Sequence, residues 1–291
     1  MSDIALSVAT PVVTAMPGAH ARWEESGTIY DVARIAVDAD RLGYHHLTCS
    51  EHIGIPAGEA NRRGARYWDP LATFGYLAAT TERIRFATNV LVLGYHHPLE
   101  IAKRYGTLDL ITGGRVILGV GVGTLKEEFE LLEAPFEDRG ERADDAMRAL
   151  RASLSRPAPD YAGVHYRFGN LVIDPCAVQP EVPLWVGGRT LRSLRRALAL
   201  GDGWCPFGIT SAQASEWLKT VDVPDDFAVV LGPEQPFDPI REPGATSEAL
   251  ADLARSGATM ASVRFVHHSL NHYLEQLEAM AELVDRPDTR P

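Results

Sequence analysis

Long apolar runs are missing from this chain. No stretch approaches the ~18 uninterrupted apolar residues of a membrane-spanning helix, so membrane association is not expected. Residues 1–10 lack a basic segment followed by a long apolar one, so a secretory leader is not expected either. Cysteine is scarce. Cys49, Cys176 and Cys205 are odd in number, far apart and form no CxxC pair, which argues against a disulfide framework and a zinc site. Positive charge is in deficit, with 28 Lys and Arg against 39 Asp and Glu and a net charge of −11. That balance argues against nucleic-acid or anionic-membrane partners by bulk electrostatics, but leaves a small anionic ligand open, because a local cluster can oppose the mean. Fixed-period repeats and low-complexity segments are also absent, which excludes a solenoid. The expectation is a reduced, soluble, cytoplasmic protein.

What is present is an ordinary globular balance, 45% hydrophobic and 23% charged over 291 residues. Apolar strand-like runs occur at 4–8, 46–50, 84–93, 115–120, 184–186, 203–206, 227–231 and 259–266. Amphipathic segments separate them. In 31–42, Val32, Ile35, Ala36, Ala39 and Leu42 recur at helical spacing, and Gly43 follows as a C-terminal stop. Asp69-Pro70 opens another helix with a side-chain cap and a proline at its first position. Gly113-Gly114 stops the helix over 98–111. Strand–helix alternation implies parallel strands with crossover helices, and eight repeats predict an α/β (β/α)8 TIM barrel rather than a Rossmann-type open sheet. One break in the rhythm, 156–183, is rich in proline and is predicted to be an insertion between strands four and five, lying over a barrel end. The whole of 1–291 is expected to form one domain.

Barrel active sites are built from the loops after the strands. After strand two comes Ser50-Glu51-His52. His52 is the candidate proton-handling group, because imidazole titrates near neutrality. Glu51 either pairs with it or faces solvent, and a histidine that only braces the rim is the competing reading. The same loop carries Arg62, Arg63, Arg66, Tyr67 and Trp68, which place cations and aromatics near the mouth. Gly119-Val120-Gly121-Val122-Gly123 follows strand four, and its glycines serve either ligand approach or tight rim packing. Gly187-Gly188-Arg189-Thr190 lies between strand five and a helix, where free amides and the helix dipole favour a phosphate. Thr190 and Ser193 would add hydroxyl donors and Arg189 or Arg192 charge; ordinary capping by Thr190 is the alternative. Of the histidine pairs His45-His46, His96-His97 and His267-His268, at most one member each should face the barrel interior. Glu51, His52, His96 and His268 could meet at the mouth, but without HxH or HExxH spacing no metal site is expected.

Taken together the motifs resemble the luciferase-like monooxygenase superfamily. Asp69-Pro70, Asn89-Val90-Leu91-Val92-Leu93, His97-Pro98, Thr112-Gly113-Gly114-Arg115, the run through Gly123, Glu127-Glu128-Phe129, Phe136-x-x-Arg139-Gly140 and Leu184-Trp185-Val186-Gly187-Gly188 carry the likeness, from about 43 to 208. It is most similar to the coenzyme F420-dependent branch. The resemblance implies a flavin or deazaflavin at the strand C-termini, against a bulge in strand three that often carries a non-proline cis peptide and maps to Asn89-Val90. It implies an acid–histidine pair at Glu51 and His52, and a cofactor phosphate near Gly187, Gly188, Arg189 and Thr190 with Gly121, Val122 and Gly123 alongside. Glu51 stands where this branch usually has aspartate, and Gly94 where proline is common. Val122 occupies the position of a phosphate-binding arginine in bacterial luciferase alpha chains.

The function this implies is F420-dependent hydride transfer to or from a small organic substrate. The alternatives are an FMN-dependent two-component monooxygenase fed by a separate reductase, and a non-catalytic flavin-binding relative. A homodimer is expected. Substrate contacts are expected from 56–68, 156–183 and 231–244.

Overall fold

The computed structural model describes residues 4–285; the first three residues of the segment read above for a leader lie outside them. The elements run β1 (Ala5–Val8), α1 (Ile29–Arg41), β2 (His46–Cys49), α2 (Ala60–Arg63), α3 (Pro70–Ala78), β3 (Arg85–Thr88), β4 (Leu91–Val92) and α4 (Pro98–Thr112). Next come β5 (Val116–Gly121), α5 (Lys126–Leu131), α6 (Arg139–Ser153), β6 (Tyr161–Ala162), β7 (Arg167–Phe168), β8 (Leu184–Gly188) and α7 (Leu191–Leu200). The chain ends with β9 (Gly203–Pro206), α8 (Ser211–Leu218), β10 (Ala228–Leu231), α9 (Pro243–Arg255), β11 (Met260–Val263) and α10 (Leu270–Asp285).

The helices begin and end where local chemistry places them. α1 buries Val32, Ile35, Ala36 and Ala39, opens with the Thr28 amide donating to Asp31 Oδ2 at 2.8 Å, and stops at Gly43 with φ +78°. α3 is capped by Asp69 Oδ1, which accepts from Ala72 N at 2.8 Å ahead of Pro70. Buried acids then tie one element to the next. Asp40 at the end of α1 accepts from the amides of Glu82, Arg83 and Ile84, which fixes the entry into β3. A buried carboxylate is tolerable only when donors surround it in this way.

The strands pair in parallel in the order β3-β2-β1-β11-β10-β9-β8-β5, and β3 pairs back onto β5, closing the barrel. The run predicted as a single strand at 84–93 is interrupted: β3 and β4 both pair with β5, and Asn89 and Val90 lie between them. The barrel interior holds Ala87, Ile117, Trp185, Cys205, Ala228 and Val230. Trp185 fits because Gly203 is opposite; a Cβ there would stand 2.6 Å from its ring. The larger core lies outside the strands, under the helices.

The insertion carries a short antiparallel hairpin, β6 with β7. It is held by Asp145 of α6, which accepts from His165 and Tyr166 amides, and by Asp109 of α4, which accepts from Val178 and Gln179 amides. The Gln179 side chain bonds Arg85 and Val116 O, at the starts of β3 and β5. It therefore follows the outer flank to the end of the barrel opposite the strand C-termini. Among the described residues no helix is long and apolar enough to cross a membrane.

Candidate active site

The strand C-termini surround a cleft of about 1670 Å³. The residues predicted for catalysis and cofactor binding all line it: Glu51, His52, Asn89, Val90, Gly121, Val122, Gly123, Gly187, Gly188, Arg189 and Thr190. The Asn89–Val90 peptide is cis. Asn89 N donates to Cys49 O at 2.8 Å, and Ser50 Oγ donates to Asn89 O at 2.7 Å, so β2 staples this segment from one side.

Rim packing accounts for two of the glycines. A Cβ at Gly121 would stand 2.6 Å from Val90 Cγ2, and one at Gly187 would stand 2.4 Å from Val90 Cγ1. Val90 thus projects between the C-terminal ends of β5 and β8, and both glycines must be bare to admit it. Gly123 has a different reason: φ is +76°, and a Cβ would strike Phe129 and Val92. Gly94, which replaces the proline expected after strand three, also closes onto Phe129; a Cβ there would stand 2.5 Å from its ring.

The acid–histidine arrangement differs from expectation. Glu51 does not pair with His52, nor does it face solvent. It is buried; its Oε1 lies 2.6 Å from His96 Nε2, and its Oε2 accepts from Val92 N at 2.8 Å. Adjacent residues leaving a strand point in different directions, so Glu51 turns back toward β4 while His52 turns toward α5. Burial opposes a charge on His96, but its hydrogen bond to Glu51 and the charges of Glu51 and Glu100 outweigh it and raise its pKa. His96 stands behind Glu51 and does not line the cleft.

The partner of His52 is Glu128, which sequence reasoning assigned no role. His52 Nδ1 lies 2.7 Å from Glu128 Oε2, and Tyr95 Oη donates to the same oxygen at 2.7 Å. Glu128 Oε1 accepts from the amides of Ile53 and Gly54 at 2.7 and 3.2 Å. Burial works against this charge, yet the hydrogen bonds from His52 and Tyr95 hold the carboxyl below its usual range. The Glu127-Glu128-Phe129 motif was the available signal: its phenylalanine packs against Gly94 and Gly123, one position along the chain from Glu128. Burial first, then the neighbouring Glu128, raises the Tyr95 phenol, so it remains a donor. Burial pushes the Cys205 thiol up to about 12, which removes it as a nucleophile at neutral pH.

On the opposite wall, Thr190 caps α7 without a side-chain hydrogen bond. Ordinary side-chain capping is therefore not its role; the Ser193 amide donates to Thr190 O at 2.9 Å, which leaves the Leu191 and Arg192 amides at the start of α7 without a cap. Ser193 is unavailable as a ligand donor, because its hydroxyl donates to Thr190 O and accepts from Trp204 Nε1. Arg148, Arg189, Arg192 and Arg195 line the cleft, and none has a carboxylate within ion-pair distance among the described residues. Arg196 is paired with Asp144. Arg139 lies over the Phe136 ring and donates to Gly123 O at 3.2 Å, bracing the glycine loop. In the loop after β2, Arg62 and Arg63 reach the cleft but pair with Glu59. Arg66 does not reach it. Its guanidinium donates to Glu24 O and Glu25 O. Trp68 and His268 also stand away from the cleft, the latter packed against the tilted His272 ring with centroids 4.3 Å apart. No residue of 156–183 lines it, which removes that insertion as a source of substrate contacts; 231–234 does line it.

These features define a closed (β/α)8 barrel with one ligand cleft at its C-terminal mouth. The chain belongs to the luciferase-like monooxygenase family, whose model matches residues 8–231. An uncharacterized protein of Mycobacterium tuberculosis is 32% identical over 182 residues, 58% of this chain and 62% of that one. An F420-dependent glucose-6-phosphate dehydrogenase of Microbacterium testaceum is 28% identical over 57% of this chain and 49% of that one. The chain thus spans about three fifths of the first of these relatives and half of the second. Among solved structures, an F420-dependent secondary alcohol dehydrogenase aligns with TM-score 0.74 at 12% identity, covering 97% of this chain and 99% of that one. The oxygenating constituent of the 3,6-diketocamphane monooxygenase of Pseudomonas putida, in complex with FMN, aligns with TM-score 0.70 at 16% identity, covering 97% and 98%. Both share the fold.

Proposed function

We propose that this protein is an F420-dependent oxidoreductase acting on a small organic substrate. The observation that carries the reading is the pairing of two unlike walls across one cleft: His52 with its Nε2 end uncommitted, and a helix start whose Leu191 and Arg192 amides have no side-chain cap and which is flanked by arginines without carboxylate partners among the described residues. In a chain of net charge −11, arginines without carboxylate partners on one rim favour an anionic ligand.

The residues present fit such a group. Gly187, Gly188, Arg189 and Thr190, with Arg192 nearby, would hold its phosphate at the start of α7, and Gly121, Val122 and Gly123 would stand alongside. When bound, the deazaflavin supplies hydride transfer. The chain's own part is to seat it against the Asn89–Val90 segment, and to give or take at His52 Nε2 the proton that accompanies the hydride. The valine at 122, with no cation of its own, and the row of free arginines favour the more anionic F420 over FMN. The glucose-6-phosphate dehydrogenase relative supports the same choice. A homodimer is proposed for the assembly.

Titration with F420 and with FMN, followed by fluorescence quenching and calorimetry, tests this. Micromolar or tighter F420 binding with weaker FMN binding is expected. FMN binding alone, with oxygen consumed when reduced FMN is supplied by a separate reductase, would replace the proposal with a two-component monooxygenase.

A further inference from the structure

Glu128 is joined to the cleft only through other groups. Its Oε2 receives His52 Nδ1 and Tyr95 Oη, and its Oε1 receives the Ile53 and Gly54 amides. All four partners point at one buried carboxylate. A carboxylate held by donors on both oxygens is an acceptor only, so the hydrogen it shares with His52 must belong to the imidazole. In the neutral ring that leaves Nε2 without a hydrogen. Among the described residues Nε2 has no hydrogen-bond partner, while the ring packs edge-on to Tyr67 at 4.4 Å and lines the cleft.

We infer that Glu128 is a positioning residue that locks neutral His52 in the Nδ1–H tautomer, so that a bare Nε2 is presented to the cleft as a proton acceptor. The same carboxylate also fixes the ring's place: by clamping the two amides that follow, it holds the 52–54 backbone against the first turn of α5. Tyr95 shares the load on Oε2 and keeps the carboxylate from rotating toward the cleft. Glu51, the acid adjacent in sequence, is engaged with His96 and Val92 N and is not available for this task. The inference builds on the reading of His52 as the proton-handling group, but the tautomer is a property of the protein without cofactor.

The test is long-range 1H–15N correlation of the imidazole rings in the 15N-labelled full-length chain, with His52 assigned through His52→Gln. The wild type is expected to show the Nδ1–H pattern at His52. Glu128→Gln is expected to lose it, with kcat lowered tenfold or more and KM and cofactor Kd within about twofold. Tyr95→Phe, which leaves the carboxylate in place, is expected to retain it. An Nε2–H or evenly mixed ring in the wild type overturns the inference, as does an unchanged Nδ1–H ring in Glu128→Gln. If Glu128→Gln does not fold, Glu128→Asp decides: a mixed ring there supports the inference and an unchanged one overturns it. The expected spectra in a protein that turns over neither cofactor would sink the functional reading and leave the positioning role standing.

Discussion

On the wall built by β2, β4 and α5, the two inward carboxylates already have their donors: Glu128 takes four hydrogen bonds and Glu51 two, and both are buried. On the wall built by β8 and α7 the reverse holds. Arg189, Arg192 and Arg195 are exposed with no acid paired to them among the described residues, and the cap of α7 makes no side-chain bond. A saturated network holds its members in one geometry and suits a group that moves a proton over a fixed distance. An unsaturated one keeps its hydrogen-bonding capacity for a ligand. On the proposed function, the comparison would make one side of the cleft the place of chemistry and the other the place of recognition.

The strongest way to break that division is to remove one member from each wall. His52→Ala is expected to lower kcat by roughly a hundredfold or more, the usual scale of a general acid–base group, with cofactor Kd within about twofold; steady-state kinetics beside calorimetry checks this. Equal damage to both quantities would abolish the distinction. Where the walls meet, Gly187→Ala brings a Cβ within 2.4 Å of Val90 Cγ1. Overpacking of this kind is expected to cost about 1–3 kcal/mol in denaturant unfolding and to weaken cofactor binding as the loop shifts.

A smaller effect is expected from the recognition wall. Arg192→Ala with Arg195→Ala should weaken cofactor binding by roughly fivefold per arginine, the scale of an exposed ion pair, and leave kcat at saturation unchanged. Repeating the titration in high salt should bring wild type and variant together. No convergence would mean that these arginines pack rather than attract.

The mildest test uses pH. Burial lowers the pKa of His45 and of His267 to about 4, and holds His46 well below the ordinary imidazole value. The unfolded chain binds protons at these rings from about pH 6.5 downward, where the folded chain does not. Stability is therefore expected to fall as pH drops from about 6.5 toward 4. Glu128 acts in the next window. Its folded pKa is depressed, so its contribution is present above the ordinary carboxylate range and is lost as pH falls through the folded value. Chemical denaturation between pH 4 and 7 should show the histidine slope first, and His267→Gln should flatten it.

Much of this was legible in the chain itself. Asp69, Gly43 and Gly113 act through neighbours a few residues away, so their caps and stops were readable from spacing. Eight alternations implied closure, and residues at the ends of parallel strands share one mouth whatever the details, which is why the predicted site residues converge. What failed depended on direction. Arg66 was placed at the mouth from proximity in sequence, but its guanidinium turns to the carbonyls of Glu24 and Glu25. Substrate contacts were expected from the insertion, but Asp109 and Asp145 draw it along the outer helices and none of its residues lines the cleft.

By itself, then, the sequence determined the barrel, the position of the cleft and the set of loops around it, because those follow from periodicity and from short-range capping. Tertiary structure alone decided the pairing of charges. Glu51 lies next to His52 in the chain yet bonds His96, while Glu128, 76 positions away, reaches His52. A side chain's partner depends on which way its strand end or helix turn points once packed. Here four donors, His52, Tyr95 and the Ile53 and Gly54 amides, meet at Glu128, while the phenylalanine next to it is lodged against two bare glycines.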